Sequence, residues 1–172
     1  MTQTFWRVEK AKYAGVAKTG EGARLAGGRW TSPGQRTIYC AEHLSLAILE
    51  VLVHAPDPTQ RSGRIRFHIR CDRRLVERLA NSPLPPDFSP RTPYAVTRTL
   101  GDEWLQRGRA PVLSVPSAIV PTENNYLLNP DHPAFGHLSW DPYEAITLDD
   151  RLWTVGQPRQ LRSRPPHSAT IE

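Results

Sequence analysis

Residues 36–54 read RTIYCAEHLSLAILEVLVH, and within them one local pattern gives way to another. Arg36-Thr37-Ile38-Tyr39-Cys40 is rich in β-branched and aromatic side chains and reads as a strand. From Glu42 to His54 the apolar residues cover nearly the whole circumference of a helix, which predicts that this helix is central. A strand that passes into a helix after a single turn implies a domain of mixed composition, α/β or α+β.

Working outward, Arg64 to Arg70 alternates strictly. Ile65, Phe67 and Ile69 share one face and Arg64, Arg66, His68 and Arg70 the other, as in a half-buried strand with a basic outer face. Thr4 to Val8 also has strand composition. Between the first two strands, Tyr13 to Gly34 holds six glycines among scattered polar residues and reads as a long loop, a kind of segment that is often functional. Further on, a short helix is expected from about Arg73 to Leu79. Pro83, Pro85, Pro86, Pro90 and Pro93 then mark an extended crossover. Tyr94 to Arg107 reads as a helix, with Thr92 as cap, Pro93 at the first position and Gly108 as its end. Pro111–Val115 and Ala118–Val120 read as strands joined around Pro116-Ser117, Asn124–Pro133 as turns, and Glu144–Leu148 and Leu152–Val155 as final strands.

Length and composition bound the class. The chain has 172 residues, 17 prolines, two cysteines and a formal charge of +5, which suits one domain with its own core. The apolar run Leu44–Val53 is broken by Ser45 and Glu50 and falls short of the roughly 20 residues of a membrane helix. Met1-Thr2-Gln3-Thr4 lacks the basic and apolar regions of a secretory signal, and Cys40 and Cys71 are too few for a disulfide scaffold, so a soluble protein of the reducing cytoplasm is expected. Arg159, Arg162 and Arg164 against Glu172 give residues 156–172 a charge of +2, leaving +3 for the rest. That segment is rich in Pro, Ser and Arg and poor in large apolar groups, and is expected to be a mobile tail behind a domain of residues 1–155.

Several familiar sites are missing. Gly20-Glu21-Gly22-Ala23-Arg24-Leu25 begins like a dinucleotide fingerprint but has Leu25 in place of the third glycine. No phosphate-loop lysine motif and no paired-histidine zinc helix is present, and neither cysteine has a cluster of ligand residues beside it, so no metal is indicated. Ser117 lacks the flanking glycines of a nucleophile elbow.

Glu50 is the anomaly. Apart from Ser45, every other residue from Leu44 to Val53 is apolar, and Leu46, Leu49 and Val53 share its helical face, so the carboxylate is expected to be near-buried. Such a group either pairs with one of the many arginines or serves a site. Arg29, in Gly27-Gly28-Arg29-Trp30, presents a similar choice between a solvated loop cation and a fork that grips a phosphate or carboxylate. The Tyr39 ring faces either the core or a cleft.

Taken together, the chain resembles the RES family, small bacterial toxins named for an arginine, a glutamate and a serine and usually encoded beside an Xre-type antitoxin. The resemblance is carried by Phe5-Trp6-Arg7-Val8, Gly27-Gly28-Arg29-Trp30 with Ser32-Pro33-Gly34, and Ile38-Tyr39-Cys40-Ala41-Glu42. Leu46-Ala47-Ile48-Leu49-Glu50, Val115-Pro116-Ser117-Ala118 and Asn125-Tyr126-Leu127-Leu128-Asn129-Pro130 with His132 continue it in order, from about Phe5 to Trp153.

The resemblance implies an α+β fold similar to ADP-ribosyltransferases, a split sheet with flanking helices. It also implies an activity that consumes NAD as substrate, with no resident cofactor. Known members break NAD down by hydrolysis or phosphorolysis, or transfer its ADP-ribose to a protein. Arg29, Glu50 and Ser117 correspond to the name residues and Tyr39 to the site tyrosine; Asn129 matches as a substrate-binding position, and Arg7 and His132 match more weakly. On this basis Glu50 would stabilise the cationic ribose, Arg29 anchor the pyrophosphate, Tyr39 hold nicotinamide and Ser117 fix a hydroxyl or carboxamide. The implied partners are NAD, a cognate antitoxin and a possible second copy, with no membrane, and with nucleic acid reached only through the antitoxin. The alternative of another class is a non-catalytic module that binds nucleic acid through Arg64, Arg66 and Arg70.

Overall fold

The computed structural model describes residues 1–54, 62–79, 84–85, 88–149 and 152. Eight strands form one sheet: β1 (Thr2–Lys10), β2 (Ile38–Ala41), β3 (Arg64–Asp72), β4 (Val76–Arg78), β5 (Val112–Pro116), β6 (Asn124–Leu128), β7 (Ser139–Trp140) and β8 (Glu144–Ile146). The order is β4-β5-β6-β2-β1-β3-β7, with β8 also on β3. The β4–β5 pair is parallel and the remaining pairs are antiparallel. The helices are α1 (Glu21–Ala26), α2 (Leu44–His54) and α3 (Tyr94–Arg107). This is a mixed α+β domain.

The sheet is nearly divided in two. β1 and β3 run side by side through nine register pairs, whereas β1 meets β2 at one, Trp6 with Ala41. Arg7 clasps this seam: Nη1 donates to the Tyr39 carbonyl at 2.9 Å and Nη2 to Glu9 at 2.5 Å.

Strand alternation gives the sheet two faces. Phe5, Ile38, Cys40, Ile65, Phe67, Ile69, Tyr126 and Leu128 fill one, closed over by Ala14, Ala17 and Phe135. On the other face, α3 lays Trp104 against Leu113, Val115 and Leu127, and α2 lays Leu46 and Ala47 against Ala41, Trp6 and Val8. α3 ends at Gly108, whose left-handed conformation (φ 54°, ψ 34°) turns the chain into β5 at little steric cost.

Several sequence expectations need correction. α2 is not central: it buries Leu46 and Ala47 on one side, while Leu49 and Val53 are 37% and 57% exposed. A short helix has to bury only the stripe that meets the sheet, so apolar periodicity alone overstated its burial. The segment Tyr13–Gly34 is not one loop, since it holds α1 and, just before it, a 3₁₀ turn at Ala11–Val16. Arg73–Leu79 forms a 3₁₀ turn followed by β4, because pairing with β5 outweighs local helix preference. Ala118–Val120 is bent rather than a strand, and Asn124–Leu128, read as turns, is the interior strand β6. Pro93, not Thr92, occupies the cap of α3; the Thr92 hydroxyl accepts from the Ser89 N–H instead. The strand expected at Leu152–Val155 and the tail from residue 156 lie outside the described residues, Leu152 apart.

The basic face of β3 is largely compensated. Arg64 is buried, Arg66 pairs with Glu144 at 2.6 Å, and Asp141 takes both Arg70 and, at 2.9 Å, His68. Trp6 stacks on His68 and lies beneath the Arg66 guanidinium. Cations already matched with carboxylates have little charge left for a phosphate backbone. Among the described residues, no helix is long and apolar enough to cross a membrane.

Candidate active site

The site lies on the helix-bearing face of the sheet, where the halves under α2 and α3 meet. Glu50 projects from the last turns of α2 and is half-buried. Its partner is not an arginine. Asn125 on β6, 75 residues away in sequence, donates from Nδ2 to Glu50 Oε1 at 2.6 Å. The Asn125 Oδ1 is buried and has no hydrogen-bond partner among the described residues. With its Nδ2 committed to Glu50, the amide fixes the carboxylate's direction while leaving its negative charge intact.

Tyr39 shares this face. It stands opposite Leu127 on β6, while Ala41 stands opposite Asn125. Tyr39 and Asn125 are therefore diagonal neighbours across one strand pair, about 7–8 Å apart. The Tyr39 hydroxyl does not point to open solvent: it accepts from the Trp30 N–H at 3.2 Å and pairs with the Thr31 hydroxyl at 2.9 Å. Burial pushes this phenol above its ordinary pKa, partly offset by those hydrogen bonds and by the nearby Arg98 charge. Tyr39 thus ties the Arg29 loop to the sheet face that carries Asn125.

Glycine makes that tie possible. A Cβ on Gly28 would lie 2.3 Å from the Tyr39 hydroxyl oxygen, a space no side chain could share. α3 secures the other side of the loop. Thr97 Oγ1 donates to the Arg29 carbonyl, Arg98 Nε to the Gly28 carbonyl at 2.8 Å, and Asp102 Oδ1 accepts from the Ser32 N–H at 3.0 Å. The Arg29 guanidinium gives Nη2 to the Pro90 carbonyl at 2.9 Å and Nη1 to the Thr92 carbonyl at 3.3 Å, and lies over the Tyr94 ring at 4.6 Å. Two of its five N–H groups are thereby used, its charge is paired with no carboxylate among the described residues, and three donors remain.

Ser117 is fully buried, and its Oγ accepts from the Ile119 and Val120 N–H groups, each at 3.1 Å. It shapes the bend that sets Val120 against the Ala41–Leu46–Ala47 cluster under α2. Asn129 and His132 form a turn of their own. Asn129 Oδ1 accepts from the Asp131 N–H at 3.0 Å, His132 Nδ1 from the Ala134 N–H at 3.0 Å, and His132 Nε2 faces the Gly108 carbonyl at 3.1 Å. The structure thus brings Glu50, Tyr39 and the Arg29 loop to one sheet face, and places Ser117 in the bend after β5, Arg7 at the β1–β2 seam, and Asn129 and His132 in a separate turn.

Asn125, Thr97 and Arg98 are the residues that sequence reading missed. Asn125 had one legible signal: in a strand over 124–128 it shares the face of Leu127, a polar group where the pattern calls for an apolar one. The helical contacts of Thr97 and Arg98 have no local signature.

The chain is thus a divided α+β sheet that carries an oriented carboxylate, Glu50, on the face to which the Arg29 loop is tied. The RES domain family model matches residues 4–149, and the chain belongs to this family. Among its relatives is a protein named Toxin Res from Photorhabdus laumondii, 39% identical over 125 residues, 73% of this chain and 80% of that protein. A Toxin Res from Pseudomonas putida is 39% identical over 152 residues, 86% of this chain and 98% of that one. The Prs ADP-ribosylating toxin of a Sphingobium species is 35% identical over 138 residues, 77% and 86% of the two chains.

Proposed function

We propose that this protein is a toxin that consumes NAD by breaking the bond between nicotinamide and ribose. The observation that carries the reading is the Glu50 carboxylate, held by Asn125 on the sheet face to which Tyr39 ties the Arg29 loop. When that bond breaks, its electron pair leaves with the nicotinamide nitrogen and positive charge develops on the ribose. A carboxylate already oriented stabilises that charge without reorganising at the moment of reaction. The acceptor then bonds to the ribose carbon and gives up a proton. Arg29 supplies the cation for the pyrophosphate, and Tyr39 holds the nicotinamide.

Transfer of ADP-ribose to a protein is the second reading, favoured by the relative named an ADP-ribosylating toxin. Either activity in the cytoplasm of the producing cell calls for restraint, which a cognate antitoxin would provide.

The test is to incubate the purified protein with NAD, with and without phosphate and cell extract, and to follow nicotinamide release and the fate of ADP-ribose. Glu50→Gln keeps shape and removes charge, and is expected to lower turnover about a hundredfold or more. A folded Glu50→Gln protein with unchanged turnover refutes the role.

A further inference from the structure

Two guanidiniums, not one, meet at the edge of this site. Tyr94, the first residue of α3, is 40% exposed, and both Arg29 and Arg98 lie within cation–π reach of its ring, at 4.6 and 5.3 Å from the centroid. Sharing one ring places the two charges within a Debye length of each other, about 10 Å at 0.1 M salt. Their N–H groups that have partners go to carbonyls: Arg29 to those of Pro90 and Thr92, and Arg98 through Nε to that of Gly28. Arg7, Arg24, Arg36, Arg66, Arg70, Arg74 and Arg107 each pair with a carboxylate, whereas among the described residues neither Arg29 nor Arg98 has a carboxylate partner.

What sets Arg29 and Arg98 apart from the other cations is that both are half-buried and converge on one ring. Like charges held together in a partly desolvated place repel, and a bound anion relieves that repulsion. Beside the Nε bond to Gly28, neither Nη group of Arg98 has a hydrogen-bond partner among the described residues, and a planar fork of this kind suits phosphate oxygens. We infer that Arg98 and Tyr94 complete, with Arg29, a subsite for a diphosphate, the doubly charged bridge of a dinucleotide. The inference rests on the reading of NAD as substrate and extends it to residues on α3. Because Arg98 also holds the backbone of the Arg29 loop, one helix both builds the loop and shares its ligand.

Inorganic pyrophosphate is the probe, since its binding needs no catalysis. Calorimetric titration at fixed ionic strength compares the wild-type protein with Arg98→Gln, whose amide can still donate to the Gly28 carbonyl, and with Arg66→Gln as a surface-charge control; thermal melts confirm that each variant is folded. The wild-type protein is expected to bind pyrophosphate more tightly than orthophosphate. Arg98→Gln should weaken this at least tenfold, Arg98→Lys should recover part of the loss, and Arg66→Gln should change nothing. In turnover, Arg98→Gln should raise KM for NAD with kcat largely retained.

Equal pyrophosphate affinity in wild type and Arg98→Gln overturns the inference, as does equal weakening by Arg66→Gln or equal affinity for orthophosphate. If pyrophosphate binds through Arg98 but NAD is not cleaved, the proposed activity fails alone. If NAD is cleaved with a KM indifferent to Arg98, the diphosphate subsite fails alone.

Discussion

Replacing Gly101 by alanine should damage this protein, although alanine in the middle of a helix is ordinarily an improvement of about 1 kcal/mol over glycine. Gly101 lies in the third turn of α3, where that helix passes the Arg29 loop. A Cβ built there falls 1.8 Å from the Trp30 carbonyl oxygen and 2.8 Å from its carbon. Contacts under 3.0 Å are essentially never seen, so helix and loop must part by more than about 1 Å. Neither yields easily: Trp30 and Trp104 are almost fully buried, and Thr97, Arg98 and Asp102 bond the loop to the helix on both sides of the contact. Overpacking of this kind costs about 1–3 kcal/mol, enough to cancel the helix gain and leave a net loss of up to about 2 kcal/mol. At about 2–4 °C per kcal/mol for a chain of this size, Tm should fall by several degrees. The displaced loop carries Arg29, and a misplacement of about 1 Å can cost about a hundredfold in rate, so NAD turnover should drop beyond what the lost stability explains. Gly22→Ala is the control: Gly22 lies in α1 with no atom within 4 Å of its added Cβ, so that variant should be unchanged or up to about 1 kcal/mol more stable, with full activity. Denaturant melts and turnover assays on the two variants decide the matter. A Gly101→Ala protein as stable and active as wild type would refute the claim that α3 and the Arg29 loop are in direct backbone contact.

Asn125→Asp sets a second carboxylate against Glu50, and because like charges resist joint ionisation, the acid limb of the turnover profile should move up by about one pH unit or more. Asn125→Ala, which removes the donor without adding charge, should lower kcat, and an Asn125→Asp protein with the wild-type pH profile would remove Asn125 from the site. Burial pushes the Cys40 thiol up to about 12 and Cys71 up to about 11. The unfolded chain then releases these protons at lower pH than the folded one, so the stability they contribute is present below about pH 9 and is lost as pH rises toward 11–12. Denaturation midpoints from pH 8 to 11 should show this loss, and Cys40→Ala should flatten it; identical curves would disprove the assignment.

Much of this architecture was legible in the chain because it is written in local periodicity. The alternation in Arg64–Arg70 fixes which side chains of β3 face the core, and the apolar density of 42–54 fixes a helix there, since both patterns follow from how backbone geometry repeats over a few residues. The ordered motifs from Phe5 to Asn129 also sufficed for the family. Strand pairing is not local. Asn124–Leu128 looks like turns until β2 and β5 flank it, and Val76–Arg78 looks helical until β5 offers a ladder. The same holds for the site. That Glu50 meets an asparagine rather than an arginine, and that Arg29 shares a tyrosine ring with Arg98, depends on contacts between residues some 70 positions apart. Periodicity carries no information about such distances; only the packing of two helices on one sheet face sets them.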